Sequence, residues 1–348
     1  MNAVEAIDPY SKVAVIGAGA WGTALAATVA RSGRDVTLWA RELDVVASIR
    51  QTRTNPDFLP DIVLPETLNA SPDLACAGTA EAILFVVPAQ FARHILNEIA
   101  QSVVPETPIV LCAKGLEQES GLTMVQVLSE TVPHAVPSVL SGPSFAHDVA
   151  RGLPTAVTLA CAIDDVSERL AATIHTPTFR IYQSDDLTGA ELGGAIKNVF
   201  AIACGIVEGL NLGESARAAL IARGFAELRR LAMALGGRPE TLAGLCGLGD
   251  LVLTCTSMNS RNMALGMAIG QGQSVDEFMA GRKTVSEGYY TARAVIELAN
   301  AHQIEMPICK AVRDVLHHGV PVDQAIEQLL QRPAGDEFDP SAIAEGRS

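Results

Sequence analysis

A β-branched run, Lys12 to Ile16 (KVAVI), passes directly into Gly17-Ala18-Gly19-Ala20-Trp21-Gly22, and an alanine-rich helical stretch, TALAATVARSG, follows. Strand, glycine turn and helix in this order restrict the chain to an open α/β sheet that starts with a nucleotide-binding turn. Gly17 permits the tight turn, Gly19 lets backbone N–H groups approach a pyrophosphate, and Gly22 allows close packing of helix on strand. The helix N-terminus adds favourable partial charge for an anion. A second strand, Asp35 to Trp39 (DVTLW), ends in Ala40, Arg41 and Glu42. An arginine before any acid at this position favours a ribose 2′-phosphate and hence NADP(H), while Glu42 leaves NAD(H) open and the two residues also read as a surface ion pair.

The apolar runs within Glu81–Pro88 (AILFVVP) and Pro108–Lys114 (PIVLCAK) predict further buried strands, and Ala156–Cys161 and Phe179–Gln183 complete a sheet of about eight, with antiparallel pairing at one edge. Ligands of such sheets collect beyond the carboxyl ends of the strands. That rule puts Pro88 to Phe91, Lys114-Gly115 and Ser141-Gly142-Pro143-Ser144 around one cleft, with Lys114 a substrate-contacting cation or a solvated loop lysine.

From Glu191 the strand signal fades and helical periodicity takes over. Between Leu192 and Val207 every residue is apolar, small or amide except Lys197. An ammonium in a helix of this kind is paired, neutralised or used as a tuned base; the alternative is a lysine that snorkels from a half-exposed helix. Further helices are expected at Ala216–Leu235, Arg261–Ile269, Thr291–His302 and Ala311–His318. Asp250 is a lone carboxylate in GLCGLGDLVLTCT, either the partner of Lys197 or a helix cap. Ser260-Arg261-Asn262 offers three donors at a helix start, suited to a phosphate or a carboxylate, or to a plain surface turn. Glu287 is a capping acid or a hydroxyl acceptor. The resulting fold class is an N-terminal Rossmann-type α/β domain (residues 1–190) followed by an all-α domain (191–332) and a polar, flexible tail (333–348).

With 25 basic and 39 acidic residues, a net charge of −14 and a pI near 4.9, the charge balance argues against broad binding to nucleic acid or anionic membrane and leaves a local basic pocket open. Seven scattered cysteines without a C-x-x-C pair point to neither a disulfide framework nor a metal site. No secretory signal and no continuous apolar run of spanning length is evident, so a cytoplasmic protein is expected.

Taken together, IGAGAWGTALA, AKGLE, LSGPSFA, GGAIKNVFAIACGI, GLGDLVLTC and SRN resemble the bacterial-type NAD(P)-dependent glycerol-3-phosphate dehydrogenases, over about Lys12 to Gln331. The resemblance implies reversible reduction of dihydroxyacetone phosphate to sn-glycerol 3-phosphate for phospholipid synthesis. It implies Lys197 as proton acceptor and donor, and a substrate site of Lys114, Gly142, Ser144, Lys197, Asp250, Ser260, Arg261 and Asn262. It further implies cofactor contacts from Ala20, Trp21, Arg41, Lys114, Ala146, Arg261, Val285 and Glu287, besides the three loop glycines. A homodimer is expected on general grounds. Two alternatives stay open on the residues alone: a related dehydrogenase of 3-hydroxy acids or ketopantoate-like substrates, and a nucleotide sensor without catalysis.

Overall fold

The computed structural model describes residues 7–280 and 286–333; Val285 and residues 334–348, most of the expected tail, lie outside them. The described residues form two compact units: 7–113 with Met124–Leu187, and Lys114–Thr123 with the described residues from Thr188 onward. This differs from a division at residue 190. The long apolar helix already begins at Leu187, and the segment Lys114–Thr123 after the fifth strand groups with the helical unit, where Asn198 Nδ2 donates to the Lys114 carbonyl oxygen at 2.9 Å.

The first unit is built on eight strands: β1 (Lys12–Ile16), β2 (Asp35–Trp39), β3 (Leu68–Ser71), β4 (Ala82–Phe85), β5 (Pro108–Leu111), β6 (Val136–Ser141), β7 (Thr155–Cys161) and β8 (Phe179–Ser184). Their order across the sheet is β3-β2-β1-β4-β5-β6-β7-β8, parallel except between β6 and β7. β1 is central. Val13 to Ile16 are all buried, as a strand covered on both faces requires. Two strands escape sequence patterning: β3 (LNAS) is short and half polar, and β6 (VPSVLS) contains Pro137, a residue that argues against a central strand. Helices α1 (Ala20–Arg31), α2 (Leu43–Thr52), α3 (Ala89–Ile99), α4 (Met124–Thr131), α5 (Ala146–Ala150) and α6 (Asp164–Ile174) accompany the sheet. Because β1, β4 and β6 run the same way, Gly17, Pro88 and Gly142 all follow carboxyl ends on one edge of the sheet.

The second unit is helical: α7 (Leu187–Gly209), α8 (Glu214–Ala234), α9 (Pro239–Ala243), α10 (Asp250–Thr256), α11 (Arg261–Gly270), α12 (Val275–Met279), α13 (Glu287–Ala301), α14 (Pro307–His318) and α15 (Val322–Leu330), with one π turn at Leu245–Gly249. Every residue of α7 from Gly189 to Val207 is buried. By length and composition α7 could cross a membrane, but its apolar window is wholly covered by protein, the condition of a core helix. Leu192, Ile196, Val199, Phe200 and Ile202 meet Leu228 and Leu231 of α8, Leu265 of α11 and Val295 of α13 in one apolar core.

Candidate active site

α7 is apolar on all sides, so the side chain of Lys197 lies almost wholly within protein, 5% exposed. Its Nζ donates to Asp250 Oδ1 at 2.5 Å and to Thr254 Oγ1 at 2.7 Å. The other carboxylate oxygen, Asp250 Oδ2, accepts from Lys114 Nζ at 2.8 Å. One carboxylate, 1% exposed, thus serves two ammonium groups. The π turn Leu245–Gly249 delivers Asp250 to the start of α10, and Thr254 follows one helical turn later on the same face. Asp250 is therefore the partner of Lys197; the cap reading does not describe it, because its side chain is spent on the lysines.

The electrostatics of Lys197 are a contest. Burial lowers its pKa most, the Asp250 charge opposes that, the Lys114 charge adds to it, and the result is about 8 against an ordinary 10.5. Near neutral pH such a group is charged but able to release its proton.

Lys114 is held from its backbone by a relay of side-chain amides. Asn198 Nδ2 donates to the Lys114 carbonyl oxygen, Asn262 Nδ2 donates to Asn198 Oδ1 at 2.9 Å, and Asn262 Oδ1 accepts from the Gly288 N–H at 3.0 Å. Asn262 is engaged on both ends of its amide. Ser260 is the N-cap of α11, its Oγ accepting from the Met263 N–H at 3.2 Å. Arg261 opens that helix; it keeps solvent exposure although surrounding protein lowers its pKa, an effect that the charge of Glu287, first residue of α13, partly offsets. Thr254 and Asn198 are site residues that sequence reasoning did not single out. Their only signals are the four-residue spacing from Asp250 and adjacency to Lys197.

In the first unit the three glycines of the turn have different surroundings. Gly17 has φ +113°, and a β-carbon there would stand 2.9 Å from the Val86 carbonyl oxygen. At Gly22 a β-carbon would overlap the Gly17 carbonyl oxygen, whereas at Gly19 it would meet nothing within 4 Å. Gly19 is the N-cap of α1, so open space lies beside the N–H groups of the first turn that have no intrahelical partner. Ala20 and Trp21 begin this helix; Trp21 stacks toward Phe179 with ring centroids 6.5 Å apart, and its Nε1 is buried with no hydrogen-bond partner among the described residues. This donor set and this vacancy of side chains fit an anionic dinucleotide. Arg41 follows β2, exposed, with Nη2 2.7 Å from Glu42 Oε1. Gly142 after β6 has φ +149° and lies against Val157, Ser144 Oγ donates to the Gly142 carbonyl oxygen at 3.0 Å, and Ala146 starts α5. Val285 lies outside the described residues.

Two family models match the chain: the NAD-dependent glycerol-3-phosphate dehydrogenase N-terminus over residues 12–167 and the corresponding C-terminus over 186–327. The chain is 56% identical over 327 residues to a glycerol-3-phosphate dehydrogenase [NAD(P)+] of Maricaulis maris, covering 94% of this chain and 98% of that protein. It is 55% identical to the protein of the same name from Rhodospirillum rubrum, covering 92% of each. Among solved structures, the glycerol-3-phosphate dehydrogenase of Coxiella burnetii superposes with a TM-score of 0.89 at 41% identity, over 92% of this chain and 99% of that one. With both family models matched in chain order and the strand–glycine–helix turn and buried lysine–aspartate pair in place, the chain belongs to the NAD-dependent glycerol-3-phosphate dehydrogenase family.

Proposed function

We propose that the chain catalyses the reversible NAD(P)H-dependent reduction of dihydroxyacetone phosphate to sn-glycerol 3-phosphate, with Lys197 as the group that gives and takes the proton. The observation that carries this reading is the buried ammonium of Lys197 between Asp250 and Thr254. A bound nicotinamide dinucleotide supplies the hydride in reduction and accepts it in oxidation. In reduction, negative charge develops on the carbonyl oxygen of the substrate. Lys114 and Lys197 together outweigh the single charge of Asp250, so the cluster stabilises that oxygen, and Lys197 Nζ protonates it. In oxidation the neutral amine of Lys197 removes the hydroxyl proton. Asp250 and Thr254 orient Nζ in both directions.

The free N–H groups opening α11, with Arg261 and the Ser260 hydroxyl, hold the substrate phosphate, and Asn262 supports this segment; Gly142 and Ser144 complete the substrate site. Gly17, Gly19, Ala20, Trp21, Gly22 and Ala146 would hold the dinucleotide, and the family resemblance adds Lys114, Arg261, Val285 and Glu287 as further contacts. Arg41 exchanges Glu42 for the 2′-phosphate of NADP(H), which gives a preference for that cofactor without excluding NAD(H). The family resemblance and the prevalence of twofold dimers support a cytoplasmic homodimer feeding glycerophospholipid synthesis.

The decisive experiment follows the absorbance of NADPH and of NADH in the presence of dihydroxyacetone phosphate, with unphosphorylated dihydroxyacetone as control. Oxidation with the phosphorylated ketone alone is expected, faster with NADPH. Equal turnover of both ketones would remove the phosphate site, and near-normal turnover by folded Lys197→Ala would remove the lysine from the chemistry.

A further inference from the structure

At the far end of α1 from the glycine turn, the first unit holds a cavity of about 350 Å³. Three basic side chains line it, Arg31, Arg34 and His175, and no acidic residue does. None of the three has an ion pair among the described residues. Arg31 Nη2 donates to the Ala150 carbonyl oxygen at 2.7 Å, which anchors it at the wall. Arg34 is different: its Nε is buried and has no hydrogen-bond partner among the described residues. A desolvated guanidinium N–H without an acceptor is costly, and native proteins rarely leave one so unless something else supplies the acceptor.

A helix C-terminus normally repels anions, and this cavity lies at the C-terminus of α1. That objection is met locally. The Ser32 and Gly33 N–H groups and the Ser32 hydroxyl donate to the Thr28, Val29 and Ala30 carbonyl oxygens, so the last turn of α1 is capped. What remains is an uncompensated cationic pocket with an apolar side formed by Val149, Leu153 and Phe179.

We infer that this cavity is a binding site for a phosphate monoester of a small organic molecule: the dianion meets Arg31, Arg34 and His175, and the organic part packs on the apolar side. It is separate from the glycine turn, since the twelve residues of α1 span about 18 Å. It is nevertheless connected to it. Phe179 in the wall is the ring against which Trp21 packs, and α5, whose end carries Val149, lies along α1 and begins at Ala146. Occupancy therefore alters the affinity for the dinucleotide.

The test is calorimetric titration of inorganic phosphate into the full-length protein saturated with NADPH, in which binding lost in Arg34→Gln reports this cavity and binding that variant keeps reports the substrate's phosphate position. The wild type should bind phosphate, Arg34→Gln at least about tenfold more weakly, and Arg34→Lys between the two, since it keeps the charge but not the Nε donor. Acetate should bind far more weakly than phosphate. Arg34→Gln breaks no hydrogen bond of the fold, so its kinetic constants without added phosphate should be unchanged. Absent phosphate binding in the wild type, equal affinity in Arg34→Gln, or acetate as tight as phosphate would each overturn the assignment. If the chain bound neither NADPH nor sn-glycerol 3-phosphate, the catalytic reading would fail while the comparison of wild type with Arg34→Gln still judged this site.

Discussion

Lys197 stood out in the sequence as a single cation in an apolar helix, but only its burial in the fold separates a paired ammonium from one that snorkels to solvent. Thr254 and Asn198 did not stand out, because a threonine and an asparagine are ordinary residues until the fold puts them within 2.7 Å of Lys197 Nζ and 2.9 Å of the Lys114 carbonyl oxygen. The pKa of about 8 makes a directional prediction. Ketone reduction needs the charged lysine and should decline as pH rises through about 8, while alcohol oxidation needs the neutral amine and should rise through the same range; steady-state rates in both directions from pH 6 to 10 check it. Asp250→Asn removes the group that raises this pKa and leaves the Lys114 charge that lowers it. The limb of the oxidation profile should move to lower pH and maximal turnover should fall at least about a hundredfold, with stability down by about 3 kcal/mol in urea titrations because the buried Lys197 and the half-buried Lys114 lose this counterion.

At the scale of elements, glycines serve two different purposes that sequence alone does not distinguish. Gly19 borders open space, whereas Gly266 of α11 lies against α7 so closely that a β-carbon would overlap the Ile202 carbonyl oxygen, with Gly205 opposite it. Gly19→Ala should therefore fold with stability within about 0.5 kcal/mol of wild type, yet raise KM for the dinucleotide about tenfold by filling its approach. Gly266→Ala should instead cost about 1–3 kcal/mol by forcing α7 and α11 apart, and raise KM for dihydroxyacetone phosphate because Ser260 to Asn262 ride on α11. Urea titration and steady-state kinetics on both variants separate the two cases; equal stability losses would contradict the distinction. The sheet shows the matching limit of patterning: β1, β2, β4 and β5 are read from β-branched apolar runs, while β6 is a strand despite Pro137, since its pairing with β5 and β7 is a tertiary matter.

Across the whole molecule, stability depends on polar contacts between segments distant in the chain. Glu227 of α8 is 2% exposed, and its two oxygens accept from the Ile308 and Cys309 N–H groups at 2.7 and 3.3 Å, capping α14 from 81 residues away. Burial pushes its pKa up to about 7, the two N–H groups holding it back. A carboxyl whose folded pKa lies above its ordinary 4.5 contributes stability that is fully present below 4.5 and is lost as pH rises through about 7. Glu227→Gln should flatten the pH dependence of unfolding between pH 4.5 and 7 and lower stability at the acid end, since an amide offers one acceptor where two donors converge; urea titrations across that range measure both. Nothing in the local sequence marks Glu227, which reads as one more acid on an amphipathic helix. The sequence by itself determined the parallel sheet, the glycine turn, the apolar helix and its lysine, because those follow from local sterics, from hydrophobic period and from the cost of burying a charge. Only the tertiary structure decided that Asp250 answers two lysines, that Asn262 is spent on Asn198 and Gly288, that Lys114 groups with the helical unit, and that Arg34 keeps a buried donor, because a hydrogen bond requires proximity in space and residues 26 to 136 positions apart carry no local trace of it.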